Sequence, residues 1–115
     1  MAKLIRTVNG EFHQVISRIT GEILNGSVSA SLEESTDLSH GNARCSVRVF
    51  ERYSWMGGNR VSLSLTFFQT DDSQVYISAI TSGGSQAVFN KINTVGEESF
   101  LEKLRDAIDR LYPMH

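Results

Sequence analysis

The chain has 115 residues, 40% hydrophobic and 21% charged, with a formal net charge of −2. That length suits one domain (1–115) with one core, and 11 basic against 13 acidic side chains lack the basic excess of a general nucleic-acid binder. No apolar run reaches the ~20 residues that span a bilayer, no apolar segment follows Lys3 and Arg6 as in a signal peptide, and a lone Cys45 cannot close an internal disulfide, so a cytoplasmic address is expected.

The chain opens with a short stretch, Lys3 to Thr7, that suits an extra strand. Gly10 to Asn25 follows as a predicted helix, because Phe12, Val15, Ile16, Ile19, Ile23 and Leu24 recur at helical spacing. Asn9 suits its N-cap and Gly26 its C-terminal cap. Gly21 inside it costs about 1 kcal/mol against alanine, which suggests close packing on the sheet.

The period then changes to two. Strands are predicted at Ser27–Leu38, Ala43–Trp55, Arg60–Thr70 and Gln74–Thr81, with a weaker fifth at Gln86–Ile92. The breaks are His40-Gly41-Asn42, Gly57-Gly58-Asn59, Asp71-Asp72-Ser73 and Gly83-Gly84, all turn chemistry. A last helix is predicted from Val95 to Tyr112. Thr94 and Glu97 make a capping box, Phe100, Leu101, Leu104, Ala107, Ile108 and Leu111 a buried stripe, and Pro113 a stop. Glu97 and Glu98 join the wet side of that helix.

The alternation sets a register. Cys45, Val47, Val49, Tyr53 and Trp55 are odd, as are Val61, Leu63, Leu65 and Phe67, so odd pairs with odd across a three-residue turn at 57–59. Val75, Ile77 and Ala79 require another three-residue turn at 71–73. The first predicted strand has Val28, Ala30, Leu32 and Leu38 on even positions, which needs a two-residue turn at His40-Gly41. This register pairs Asp37 with Arg44 and Glu33 with Arg48. The fold expected is an α+β two-layer sandwich: a four- to five-stranded antiparallel sheet with the N-terminal and C-terminal helices on one face, over Val47, Val49, Leu63, Leu65, Phe67 and Ile77.

The other face then carries Arg48, Phe50, Phe68, Tyr76 and Ile80. An exposed group of aromatic side chains and arginine has the composition of an interface centre. It points to a non-enzymatic protein-interaction or self-association module. Arg44, Arg48, Arg52 and Arg60, interleaved with aromatics on that face, would also be the pattern of a single-strand nucleic-acid platform, but two of them have acidic partners in this register, so nucleic acid is not the expected ligand. An alternative function is binding of a small apolar ligand in a pocket between helices and sheet at Tyr53, Trp55 and Met56.

Catalytic chemistry finds no support. Glu34 and Glu51 fall on the core-facing parity, but roughly 13 Å apart along the sheet, too far to act on one bond. His13, His40 and His115 are scattered without metal-ligand spacing, and Cys45 reads as a buried structural thiol. No catalytic residue, metal site or cofactor is expected.

The stretch ERYSWMGGNRVSLSLTF, with SGGSQAVFNKINTVGEESFLEKL after it, resembles a family of small bacterial proteins of similar length known as a domain of unknown function. The resemblance covers most of the chain and implies a standalone bacterial domain. It implies no chemistry and no site residue.

Overall fold

A computed structural model describes residues 1–26, 28, 30–54, 59–83 and 90–113. The elements run β1 (Ala2–Asn9), α1 (Phe12–Asn25), β2 (Ser31–His40), β3 (Ala43–Ser54), β4 (Asn59–Gln69), β5 (Gln74–Gly83) and α2 (Asn90–Leu111). The strands form one open antiparallel sheet in the order β1-β5-β4-β3-β2, so the fold is α+β. The weak strand expected at 86–92 lies partly outside the described residues, and Asn90 to Ile92 belong to α2. Lys3 to Thr7 is the middle of β1, a full edge strand paired with β5.

The β4–β5 register is as the odd apolar set predicts, with Phe68 opposite Tyr76 and Phe67 opposite Ile77. Asp72 holds the turn, its carboxylate accepting from the Gln74 N–H at 3.0 Å.

The β3–β4 register differs. Ser54 pairs with Asn59, so four residues separate the strands and odd pairs with even: Phe50 faces Leu63, Arg48 faces Leu65, and Val47 and Val49 face Thr66 and Ser64. Phe50, expected outside, is fully buried, while Val47 and Val49, expected under the helices, lie on the opposite face. Burial explains the choice. Phe50 is the largest apolar side chain of β3 placed to meet Leu63, and hiding it removes more apolar surface than hiding either valine.

β2 is displaced by two residues from expectation. The turn is Gly41-Asn42, with Gly41 at φ +58°, and His40 pairs with Ala43. Asp37 therefore lies opposite Ser46 and not Arg44. Glu33 falls in a bulge between Leu32 and Glu34 and has no partner across from it. Arg48 instead reaches Asp37 on the diagonal, at 4.0 Å. Every residue of β2 is exposed, Leu32 and Leu38 included.

The buried cluster draws on alternate strand positions: Leu4 and Val8 of β1, Phe50 of β3, Val61, Leu63, Leu65 and Phe67 of β4, and Val75, Ile77 and Ala79 of β5. Phe12, Val15, Ile16, Ile19 and Ile23 of α1 join it, as do Phe100, Leu101, Leu104, Ala107 and Ile108 of α2. α2 contacts β5, β4 and β1; α1 packs beside α2, where Arg110 meets Glu22 at 2.8 Å.

The caps differ from expectation. Glu11, not Asn9, caps α1, its two oxygens accepting from the N–H groups of His13 and Gln14 at 3.0 Å each. α2 starts at Asn90, ahead of the Thr94–Glu97 box. Glu97 is consequently not a first-turn cap. It is buried, and its carboxylate accepts from the Gly83 N–H at 2.6 Å and meets the Met1 amino group at 2.7 Å. Gly21 has no atom within 4 Å of where a Cβ would stand, so close packing does not account for it.

Phe50→Ala is expected to cost about 3–5 kcal/mol and Leu65→Ala about 2–5 kcal/mol in urea unfolding, since both side chains are fully buried. A Phe50→Ala variant as stable as the parent would contradict the β3 register. The His13 N–H, foremost, holds the Glu11 carboxyl below its ordinary value. A lowered folded pKa means stability present above the unfolded value and lost as pH falls through the folded one. Urea midpoints taken between about pH 5 and 3 should therefore fall more steeply for the parent than for Glu11→Gln.

Candidate functional site

The strand positions alternating with the buried set share the outer face. Pairing aligns them in rows. Leu38, Cys45, Phe68, Tyr76 and Thr7 form one; Thr36, Val47, Thr66, Ser78 and Ile5 the next; Glu34, Val49, Ser64, Ile80 and Lys3 a third. Leu38 and Ile5 are more than 60% exposed, and Phe68, Tyr76 and Ile80 about 40% or more. Lone exposed apolar residues are ordinary, but five on one sheet face make a patch.

Phe68 sits at the middle of its row on the central strand. Its ring lies 6.4 Å from that of Tyr76, tilted by 42°. Its other neighbour is Cys45, not the arginine that sequence reasoning placed there. Leu38, His40, Cys45 and Phe68 line a shallow cleft of about 210 Å³. Cys45 is thus half-buried on the outer face, not a core thiol. Hydroxyls separate the apolar side chains: Thr7, Thr36, Ser62, Ser64, Thr66 and Ser78.

Charge on this face is sparse. Lys3 stands on one edge strand and Glu34 on the other. Glu51 and Arg60 are both on this face and bond at 2.9 Å, and that bond raises the Arg60 pKa above its ordinary value. Glu34 and Glu51, expected towards the core, are outside it: Glu34 is exposed and Glu51 half-buried.

Of the five residues singled out as an interaction face, Phe68, Tyr76 and Ile80 come together on the outer face. Phe50 is in the core, and Arg48 lies on the side of Leu65 and α1. Arg44, Arg48 and Arg52 share that inner side and are separated from Arg60, so the four arginines make no common patch. Arg44 stacks over Phe12 at 5.1 Å and Arg52 over Phe100 at 5.6 Å. Ile5 and Leu38 belong to the exposed face and were not singled out. Leu38, expected towards the core from the His40-Gly41 turn, pairs with Cys45 from the Gly41-Asn42 turn and shares its place outside; β1 shows no alternation strong enough to orient Ile5.

Of the alternative pocket, Tyr53 is 61% exposed on the outer face, away from the core, and Trp55 and Met56 lie outside the described residues. Among the described residues no three His, Cys, Asp or Glu side chains are grouped to hold a metal ion, and no helix is long and apolar enough to cross a membrane.

A model of a family of unknown function, DUF6054, matches residues 1–112. The chain belongs to that family. No curated protein matches the DUF6054 chain. No function comes with the family, so the reading of this DUF6054 domain rests on its surfaces.

A half-buried Cys45 on the outer face should react with a thiol reagent in native buffer, one thiol per chain, without unfolding. Phe68→Ala, which uncovers it, should speed that reaction. A native thiol that reacts only in denaturant would return Cys45 to the core.

Proposed function

We propose that this domain is a non-enzymatic self-association module that dimerises through its outer sheet face. In this reading both helices lie on one face of the sheet and leave the other to a second copy. The observation that carries it is the exposed group Ile5, Leu38, Phe68, Tyr76 and Ile80 on a face where Lys3 and Glu34 stand on the edge strands and Arg60 and Glu51 are paired with each other at one end. Five strands aligned over about 8 residues at ~4.8 Å spacing offer roughly 600–700 Å² per copy, near the ~800 Å² of a standard interface. Two such faces would pack at ~10 Å as a sandwich. A free thiol with no second cysteine in the chain fits a reducing cytoplasm.

The row structure favours a second copy of this chain over another partner. Consider a two-fold axis in the plane of the interface, along the central strand β4. It lays β1 of one copy over β2 of the other and keeps the rows in line. Lys3 then meets Glu34 of the other copy, because these residues end the same row. Tyr76 meets Cys45, Ile80 meets Val49, and Phe68 meets itself on the axis. The match arises from the strand order, with the basic and acidic edges equidistant from the centre.

Light scattering after size exclusion at micromolar concentration should give twice the monomer mass. Phe68→Asp, at the centre, should weaken association at least ~30-fold, about 2 kcal/mol, with little change in melting temperature. Lys3→Glu should weaken it and Lys3→Glu with Glu34→Lys restore it. A parent that is monomeric at all accessible concentrations would end the proposal. A Phe68→Asp variant that remains a dimer would move the interface elsewhere.

A further inference from the structure

The sheet has two open edges. Among the described residues β1 pairs only with β5 and β2 only with β3, so each edge offers unpaired backbone N–H and C=O groups. Every residue of β2 is exposed, and Lys3, Ile5 and Thr7 are exposed along β1.

Strand number and direction decide what these edges accept. Five strands, each antiparallel to its neighbour, make β1 and β2 run the same way. Five unbroken rows of paired residues join Lys3–Thr7 of β1 to Glu34–Leu38 of β2, clear of the bulge at Glu33. In an antiparallel sheet a residue that turns its N–H and C=O towards one neighbouring strand turns them away from the other. Across an odd number of strands, a row in which β1 points outwards is therefore one in which β2 points inwards, and the next row is the reverse. A parallel pair requires this offset of one residue, because its slanted bonds run from each residue to the two that flank its opposite number. The edges of one copy therefore fit each other as parallel strands, row against row.

Charge selects the same partner. β1 has two charged side chains, Lys3 and Arg6, and both lie in rows that end on a carboxylate of β2. Lys3 shares its row with Glu34 on the outer side of the sheet, and Arg6 shares its row with Asp37 on the inner side. Asp109 holds the Arg6 guanidinium at the edge, at 3.1 Å, and leaves it 27% exposed. The Asp37 carboxylate is 72% exposed and has only the distant Arg48 beside it, at 4.0 Å. β2 set against β2 brings carboxylates together, and β1 against β1 brings cations together, so like edges repel and unlike edges attract.

We propose that copies of this chain join edge to edge, β1 of one beside β2 of the next as parallel strands, with Lys3 paired to Glu34 and Arg6 to Asp37 of the neighbour. The contact is head to tail, so every addition leaves one edge free, and the twist of the sheet turns successive copies into an open helical array. It does not rest on the outer-face dimer. Lys3 and Glu34 also meet in that dimer, whereas Arg6 and Asp37 lie on the other side of the sheet, so the test turns on the second pair.

Sedimentation velocity of the full chain carrying Phe68→Asp, which removes the face contact, is followed from about 20 μM to about 1 mM, because a single strand edge is a small, weak interface. The mass is expected to keep rising past the dimer instead of levelling there. Raising the salt from about 0.05 to about 0.5 M should reduce this growth. Asp37→Arg, at an exposed position, should keep the melting temperature and weaken growth at least about tenfold. Arg6→Asp should do the same, and the two variants mixed should grow again, since each altered edge then meets its opposite charge. Should Arg6→Asp melt below the assay temperature, Lys3→Glu mixed with Glu34→Lys makes the same comparison in the Phe68→Asp chain. A chain that stays monomeric at the top of the range, or levels at a dimer, overturns the proposal. Growth indifferent to Asp37→Arg overturns it as well. Failure of the face reading alone looks different: the parent and Phe68→Asp would then grow alike.

Discussion

The pairing of β3 with β4 decides what each side of this molecule is made of. Once Phe50 meets Leu63, every even residue of β3 faces the buried cluster and every odd residue faces away. A slip of one residue would exchange the two sets, because side chains alternate with a period of two. It would expose a phenylalanine and hide two valines, and it would leave Arg44 and Arg52 without the rings of Phe12 and Phe100. Register, packing and the cation–π contacts all select the same pairing.

Three arginines on the inward side of a strand look misplaced until the width of the helical layer is considered. A sheet of five strands is about 24 Å wide at the usual spacing, and each helix is about 10 Å across. α2 contacts β5, β4 and β1 most and β3 least, so β3 lies at the margin of the region that α2 covers. A long side chain suits such a margin. Its aliphatic stem lies on apolar surface and its head reaches water or a ring. Arg44, Arg48 and Arg52 fill this role between Leu65 and Val61 on one side and the exposed β2 on the other.

The same marginal position explains what was legible in the sequence. Where a strand is fully covered on one side, its alternation is unambiguous. β4 and β5 read correctly, the turn at 71–73 included, and with them the exposed positions of Phe68, Tyr76 and Ile80. β3 is covered only in part, so it carries apolar residues on both sides, and its arginines imitate a solvated face. Counting valines there gave the wrong parity, and one buried phenylalanine outweighed them. Every residue of β2 is exposed, so nothing but the turn could fix its register, and that turn is Gly41-Asn42, with Gly41 at positive φ, instead of the expected His40-Gly41. Glu97 was illegible for another reason: a carboxylate on a helix reads as wet unless the strand end it caps is known. Its partner Gly83 belongs to the far end of β5.

The position of β1 has a consequence for the order of assembly. Its hydrogen-bonding neighbour is β5, and Ala2 pairs with Thr81 across most of the chain. The four strands from β2 to β5 form a meander of successive hairpins, which close over short loops. Among the strands of this domain β1 is thus made first and finds its place in the sheet late, after the whole meander has been made. Until then its apolar positions, Leu4, Ile5 and Val8, have only α1 nearby in sequence to shelter against. Synthesis through Gly83 is therefore a condition for β1 to be paired, and a nascent chain stalled before β5 would carry an unpaired, adhesive strand.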